Sequence, residues 1–315
     1  MISFIIRRTA VMVPIMLIDS FLIFLLVSAV PGDRARVLAG TPDATAEQLQ
    51  QIRIEHHLDE SVFVQYWYWL VDVLKLDFGW SRTTNTTVAQ EISERLPITA
   101  AIVLATVVIA LVVAVPIGIV SGIRPGHALD NLGRLNATIG LAVPSFVVAI
   151  LGVYYFGVKL KWLPIVGYVS LTESPSEWLQ HVILPAIALG GALAAYVIRQ
   201  LRAGMIDTLD SSYVRAAWAR GGRPRRVIGL HALKNASLPT VTVLGFAIAA
   251  ILGGSAIIEE IFDIPGLGSY IVASVVALDV PPILAVTMLL VLIQLVTSLL
   301  LDISYGWLNP KIRVS

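Results

Sequence analysis

The stretch SSYVRAAWARGGRPRRVIGLHALKNASLPT, residues 211–240, lies between two long apolar runs and carries too many arginines to cross a bilayer. Tyr213 to Arg220 fills two helical turns, and Gly221-Gly222 supplies the residue type that ends a helix in a left-handed cap. Pro224 suits the first turn of a second helix, which runs through Arg225, Arg226, His231 and Lys234 to about Asn235. The chain then returns to apolar sequence at Leu238-Pro239. Ala216 and Ala217 keep one face of the first helix slim, as a helix seated in another protein's groove requires. Arg215, Arg220 and Arg223 offer planar, permanently charged donors to acidic partner residues.

The composition around this elbow sets the class. Of 315 residues, 57% are hydrophobic and 14% charged, whereas a soluble domain carries about a quarter charged. Six runs have the roughly 20 apolar residues a helix needs to span a bilayer: 9–30, 99–122, 137–158, 182–200, 238–258 and 283–305. They lack the alternation of barrel strands, so the expectation is an all-α membrane protein of six transmembrane helices. Arg7 and Arg8 precede the first run, which continues to Val30 and stops at Pro31-Gly32-Asp33 without a small-residue cleavage pattern, the mark of an uncleaved span. A net charge of +1 argues against nucleic acid as a partner, and the absence of cysteine excludes thiolate chemistry and disulfides.

Basic residues fix the expected orientation. With the N-terminus cytoplasmic, the inner segments hold Arg7, Arg8, Arg124, Arg134, the eight Lys/Arg from Arg199 to Lys234, Lys311 and Arg313, which is 14 of 22. Of the 21 acids only Asp130, Asp207 and Asp210 share that side, so both termini are expected in the cytoplasm. Residues 1–30 then form a first span, 31–98 an external helical insertion, and 99–315 a five-helix core containing an inner loop at 201–237.

Within the insertion, Thr45-Ala46-Glu47-Gln48 has the form of a capping box opening a polar helix toward His57. The run from Val62 to Leu74 puts Phe63, Tyr66, Trp67, Leu70 and Leu74 on one helical stripe, fit to lie on the membrane surface or to pack over the bundle. Ala114, Gly118 and Gly122 recur at four-residue spacing, which lets another helix approach closely in lipid. Pro116 and Pro144 each remove a backbone donor and permit a bend. Asp19, in the middle of the first span, must face protein or water; it fits either a substrate or proton role or hydrogen-bonded packing. Asp302, near the inner end of the last span, is more cheaply explained by pairing with a basic residue. The external run 259–279 carries Glu259, Phe262 and the turn Pro265-Gly266-Leu267-Gly268, which suits a re-entrant element at the pathway mouth or external gate.

The elbow resembles the coupling loop of ABC importer inner-membrane permeases. Arg215-Ala216-Ala217 and Gly221 fill the first part of their motif, and Ser237-Leu238-Pro239 the last. Arg215 in place of an acid, the longer glycine-to-proline interval, Arg226 and the run His231-Ala232-Leu233-Lys234-Asn235-Ala236 are similar to the dipeptide and oligopeptide branch. Leu76-Asp77-Phe78-Gly79, Gly253-Gly254 and Tyr305 extend the likeness along nearly the whole chain, while Asn309 stands where that family commonly has Asp. The resemblance implies a type I importer permease fold and a non-catalytic subunit. It implies a second homologous permease, two cytoplasmic ATPases that bind ATP and Mg, and an external solute-binding protein. Tyr213, Arg215, Ala216, Ala217, Arg220 and Gly221 would couple to the ATPase, with Arg226, His231, Asn235 and Pro239 as loop scaffold. Dipeptides, oligopeptides, glutathione, nickel chelates and haem are all cargoes of systems of this kind.

Other classes lack positive signs. No Gly-Lys pair occurs, so a Walker loop is absent and this chain is expected to hold no cofactor of its own. Five histidines form no metal-binding spacing; His56 and His57 are adjacent and point apart on a helix. A secondary transporter not driven by ATP would carry ion-coupling acids and an internal repeat, and only Asp19 lies at mid-depth.

Overall fold

The computed structural model describes residues 2–29, 35–36, 44–55 and 57–308. Pro31-Gly32-Asp33, His56, Asn309, Pro310, Lys311 and Arg313 lie outside the described residues, as does the side chain of Tyr305.

Helix α1, Ile2–Ser28, leads to the insertion, which contains α2, Ala46–Glu55, and α3, Val62–Leu74. The capping box forms: the Thr45 amide donates to Gln48 Oε1 at 2.9 Å and the Gln48 amide to Thr45 Oγ1 at 3.3 Å. The expected stripe of α3 divides. Tyr66 and Leu70 turn toward the protein with Val73, whereas Phe63, Trp67 and Leu74 stay exposed. A short antiparallel ribbon follows, β1 (Trp80–Ser81) paired with β2 (Thr86–Thr87).

Helix α4 runs unbroken over Val88–Ile123, capped by Thr87 Oγ1, which accepts from the Gln90 amide at 3.4 Å. The boundary expected at 98/99 therefore falls inside one helix, because Pro97 costs a hydrogen bond without ending it. The third expected span, 137–158, is not one helix. Helix α5, Ala128–Ala142, and α6, Ser145–Gly152, which continues as a π-helical turn through Lys159, are bent by 102°. Pro144 lacks the donor that would continue the ladder, and it holds Val143 extended at φ −92°, ψ 122°. Among the described residues five single helices are long and apolar enough to cross a membrane, and the bent pair makes a sixth crossing when counted as one.

Helix α7, Pro175–Leu209, is the centre of the bundle: 67% of its apolar window is buried, against 11% for α1. Ile102 of α4, Leu193 and Ile198 of α7, and Ile251 and Ile258 of α10 (Leu238–Ile261) share one core. The small-residue ridge of α4 meets α7 as its spacing predicts. A Cβ on Gly118 would lie 3.1 Å from Leu201 Cβ, and one on Gly122 would overlap Met205. Helix α11, Leu267–Val276, folds back against α4, α10 and α12, Val280–Leu308. Arg8 Nη1 and Asp302 Oδ2 pair at 3.0 Å, which places the start of α1 and the end of α12 at one level, on the same side of the bundle.

Candidate functional site: the basic elbow and the buried latch

The elbow begins where α7 ends. Helix α8, Ser212–Ala219, closes with the Gly222 amide donating to Ala217 O at 3.1 Å and the Gly221 amide to Trp218 O at 2.9 Å. These are the two bonds of a Schellman cap, and Gly221 takes the φ of +76° that it needs. Pro224 then opens a second helical segment, α9: Pro224–Arg226, a π-helical stretch Val227–Leu233, and Lys234–Ala236. Val214, Ala217 and Val227 are buried together against Leu209, so Ala217 belongs to the elbow's own core and Ala216 to its exposed face. That exposed face also carries Tyr213, Arg215, Ala219 and Arg220.

Tyr213 and Asn235 lock the two arms. Asn235 Nδ2 donates to Tyr213 Oη at 2.8 Å and to His231 O at 3.1 Å, and Tyr213 Oη lies 3.4 Å from the same carbonyl. His231 thus contributes its backbone to the scaffold. Pro239 sits exposed in the first turn of α10. The Arg226 side chain is exposed and has no ion pair among the described residues. Arg215 reaches Asp210 at 3.9 Å with both side chains largely in solvent, a contact worth at most about 1 kcal/mol. The guanidinium groups are thereby left available to a partner.

The elbow is rooted in the bundle by apolar packing and one ion pair. Ala232 and Ala236 pack with Leu201 and Met205 of α7, against Ile119 and Ile123 of α4. Nearby, Arg202 of α7 makes a bidentate pair with the buried Asp130 of α5, Nε to Oδ1 at 2.5 Å and Nη2 to Oδ2 at 2.9 Å. The Gly126 amide gives Asp130 a third bond at 2.8 Å. Sequence reasoning placed both residues on the inner side but had no signal to join positions 72 apart.

At the opposite end of α10, Glu259 is fully buried in a latch between three helices. Thr99 Oγ1 of α4 donates to Glu259 Oε1 at 2.9 Å and accepts from the Leu267 amide at 2.8 Å. The Ser269 amide, in the first turn of α11, donates to Glu259 Oε2 at 2.9 Å. A carboxylate at a helix N-terminus is favoured by the unsatisfied amides there. The Pro-Gly-Leu-Gly turn is needed for this approach: a Cβ on Gly266 would overlap the Glu259 carboxylate, and one on Gly268 would lie 2.5 Å from Ala256 Cα. Phe262 is buried and its carbonyl accepts from the Gly167 amide at 2.9 Å, whereas Pro265 is exposed. Glu259, Phe262, Gly266 and Gly268 are therefore brought together. Asp19 is not among them; it lies half-buried on α1, with no hydrogen bond among the described residues. Thr99 was missed in the sequence because it reads as one more residue at the start of an apolar run. Thr99→Val strips both of its bonds and leaves Glu259 short of a donor, so a loss of about 1–3 kcal/mol is expected, measured as a lowered unfolding midpoint.

A second anchor, at the same end of the bundle as the latch, joins the ribbon to α12. Asp279, also buried, accepts from Ser81 Oγ at 2.9 Å, the Thr83 amide at 2.9 Å and Thr83 Oγ1 at 3.0 Å. Arg82 adds a bond to Leu278 O at 3.2 Å. Below the latch, Thr99, Ala100, Val103, Leu104 and Val107 of α4 face Ile248 and Leu252 of α10 and Ile293 of α12 across an apolar cleft of about 250 Å³.

The chain matches two family profiles end to end: the N-terminal membrane component of binding-protein-dependent transport systems over residues 1–103, and the inner membrane component over residues 114–314. It is 35% identical over 310 residues to a Sinorhizobium fredii protein named "Probable peptide ABC transporter permease protein", covering 98% of this chain and 99% of that one. It is 36% identical over 313 residues to the glutathione transport system permease protein GsiC of Escherichia coli K12, covering 99% of each. The fold is similar to that of a chain in inward-facing structures of the MetNI methionine ABC transporter, with TM-score 0.55 and 13% identity over 70% of this chain and 97% of that one. With its apolar helices, its basic elbow and these matches, the chain belongs to the binding-protein-dependent transport system inner membrane components, as a transmembrane permease subunit of an ABC importer.

Proposed function

We propose that this subunit forms half of the pathway of an importer for dipeptides or oligopeptides in the bacterial inner membrane, with both termini and the elbow in the cytoplasm. In this arrangement a second permease completes the pathway, two ATPases hold ATP and Mg, and an external binding protein delivers the peptide. The subunit itself does no catalysis. The observation that carries the coupling role is the elbow. A short helix, its Ala216, Arg215 and Arg220 exposed, is fixed at one end by the Schellman corner and near the other by Val214, packed with Val227 against Leu209 at the end of α7. Such an element transmits a push without bending, and its arginines match an acidic groove. The cleft beneath the latch serves as this chain's wall of the pathway, and Glu259 with Thr99 holds α11 across its outer end. The elbow and the latch then sit at the two ends of a two-state machine whose equilibrium both the nucleotide and the binding protein bias.

Glutathione is the second cargo reading, favoured by the 36% identity to glutathione permeases and by its own peptide-like backbone. The deciding experiment is uptake into proteoliposomes holding this chain, its second permease, both ATPases and the binding protein, with labelled dipeptide, pentapeptide and glutathione in competition. ATP-dependent accumulation of the peptides is expected. Accumulation without ATP or ATPases overturns the importer reading. Leu104→Trp, which fills the cleft from a side chain exposed to it, is expected to lower uptake at least tenfold while leaving complex assembly intact. Unchanged uptake would move the pathway elsewhere.

A further inference from the structure

We propose that α3, assigned by sequence to the external insertion, is embedded in the outer interface of the bilayer, with Phe63, Trp67 and Leu74 against phospholipid acyl chains. These three are 72%, 62% and 75% exposed, and their spacing puts them on one side of the helix. Phe63 and Trp67 are neighbours one turn apart and Leu74 lies beyond the buried Leu70, and large apolar side chains grouped this way in water are uncommon on a soluble surface. Gln65 and Asp72 occupy the opposite side, and Lys75, which caps the helix, holds its Nζ 3.7 Å from Asp72 Oδ1, so polar groups sit away from the apolar row.

The depth of the helix follows from what it touches. Tyr66 Oη is 2.8 Å from Ser20 Oγ and donates to Leu17 O at 3.2 Å, and the Phe63 ring stacks on Phe21 with centroids 5.5 Å apart. Phe24 meets both Tyr66 and Trp69. The apolar stretch of α1, Ile5–Ser28, is about 36 Å long as a helix, against a hydrocarbon core of about 30 Å. Residues 17–24 therefore lie in its outer half, within the membrane or at its boundary. On α1 itself Ile18, Leu22 and Leu26 are exposed, as a lipid-facing surface demands. The stripe of α3 continues that surface sideways, and Trp67 has the amphipathic ring enriched at membrane boundaries. This inference rests on α1 crossing a bilayer and is independent of cargo and of the elbow.

The chain has no cysteine, so Phe63→Cys, Trp67→Cys and Leu74→Cys each give a single labelling site on a side chain that carries no core packing. The test uses the full chain in its complex, nitroxide-labelled and reconstituted in phosphatidylethanolamine–phosphatidylglycerol vesicles. Collision of the label with oxygen and with a water-soluble nickel chelate is then measured. Leu26→Cys serves as the lipid reference and Asp72→Cys as the water reference. At positions 63, 67 and 74 oxygen collision is expected to exceed nickel collision several-fold, as at 26, with the order reversed at 72. Dominant nickel collision at the stripe would place it in water, and low collision with both reagents would show a protein partner covering it. Either result overturns the proposal, as does a water-like Leu26→Cys.

Discussion

Asp130→Ala is expected to destabilise the protein by about 3 kcal/mol, the largest loss of any single substitution outside the apolar core. Asp130 is buried and accepts three bonds, two from Arg202 and one from the Gly126 amide. Removing it leaves a guanidinium whose side chain is only 25% exposed, with no anion at hand. That residual exposure lets water repay part of the loss, which sets the figure at the lower end of the range for broken buried pairs. In detergent the thermal midpoint should fall by about 6–12 °C. The double substitution Asp130→Leu with Arg202→Met should recover most of the loss, because the cost lies in the orphaned charge and not in the missing attraction. A single variant within about 0.5 kcal/mol of the parent would mean that Arg202 finds another partner when Asp130 is gone.

Gly221→Val is expected to leave insertion and assembly intact while lowering peptide taken up per ATP hydrolysed at least tenfold. No atom lies within 4 Å of a Cβ built on Gly221, so a side chain meets no clash there. What it meets is the left-handed backbone at φ +76°, which a β-branched residue pays about 1–2 kcal/mol or more to adopt. The corner then opens, the Gly222-to-Ala217 bond is lost, and α8 no longer projects at a fixed angle. Gly221→Asn separates this cause from a loss of flexibility, since asparagine tolerates the left-handed region and should retain most of the coupling. The readout is the ratio of peptide uptake to phosphate release in proteoliposomes. A parental ratio in the valine variant would remove the corner from the path of force transmission.

The elbow was legible because its signals are local. Gly221-Gly222 and Pro224 speak for the backbone at their own positions, and the helix, left-handed corner and second helix follow in that order. The close approach of α4 to α7 was legible for the same reason, as Gly118 and Gly122 need only a partner and not a particular one. Composition likewise gave the crossings, but an apolar run has the same hydropathy whether straight or folded. The bend at Val143-Pro144 therefore turned one expected span into two helices. The polar contacts that close the structure were not legible. Thr99 with Glu259, Asp130 with Arg202 and Asp279 with the ribbon each join residues far apart in the chain, and no spacing rule connects them.

Helix α7 has 35 residues and so is about 52 Å long, more than the roughly 40–45 Å of a bilayer with its headgroups. Its two ends thus reach beyond either face of the bilayer within one helix, whose ladder lacks only the bond that Pro185 cannot donate. It acts as a lever: a tilt of about 5° about one end sweeps the other through about 4–5 Å over that length. A stroke of that size, delivered where the elbow is rooted, would by this geometry alone carry to the far rim of the bundle.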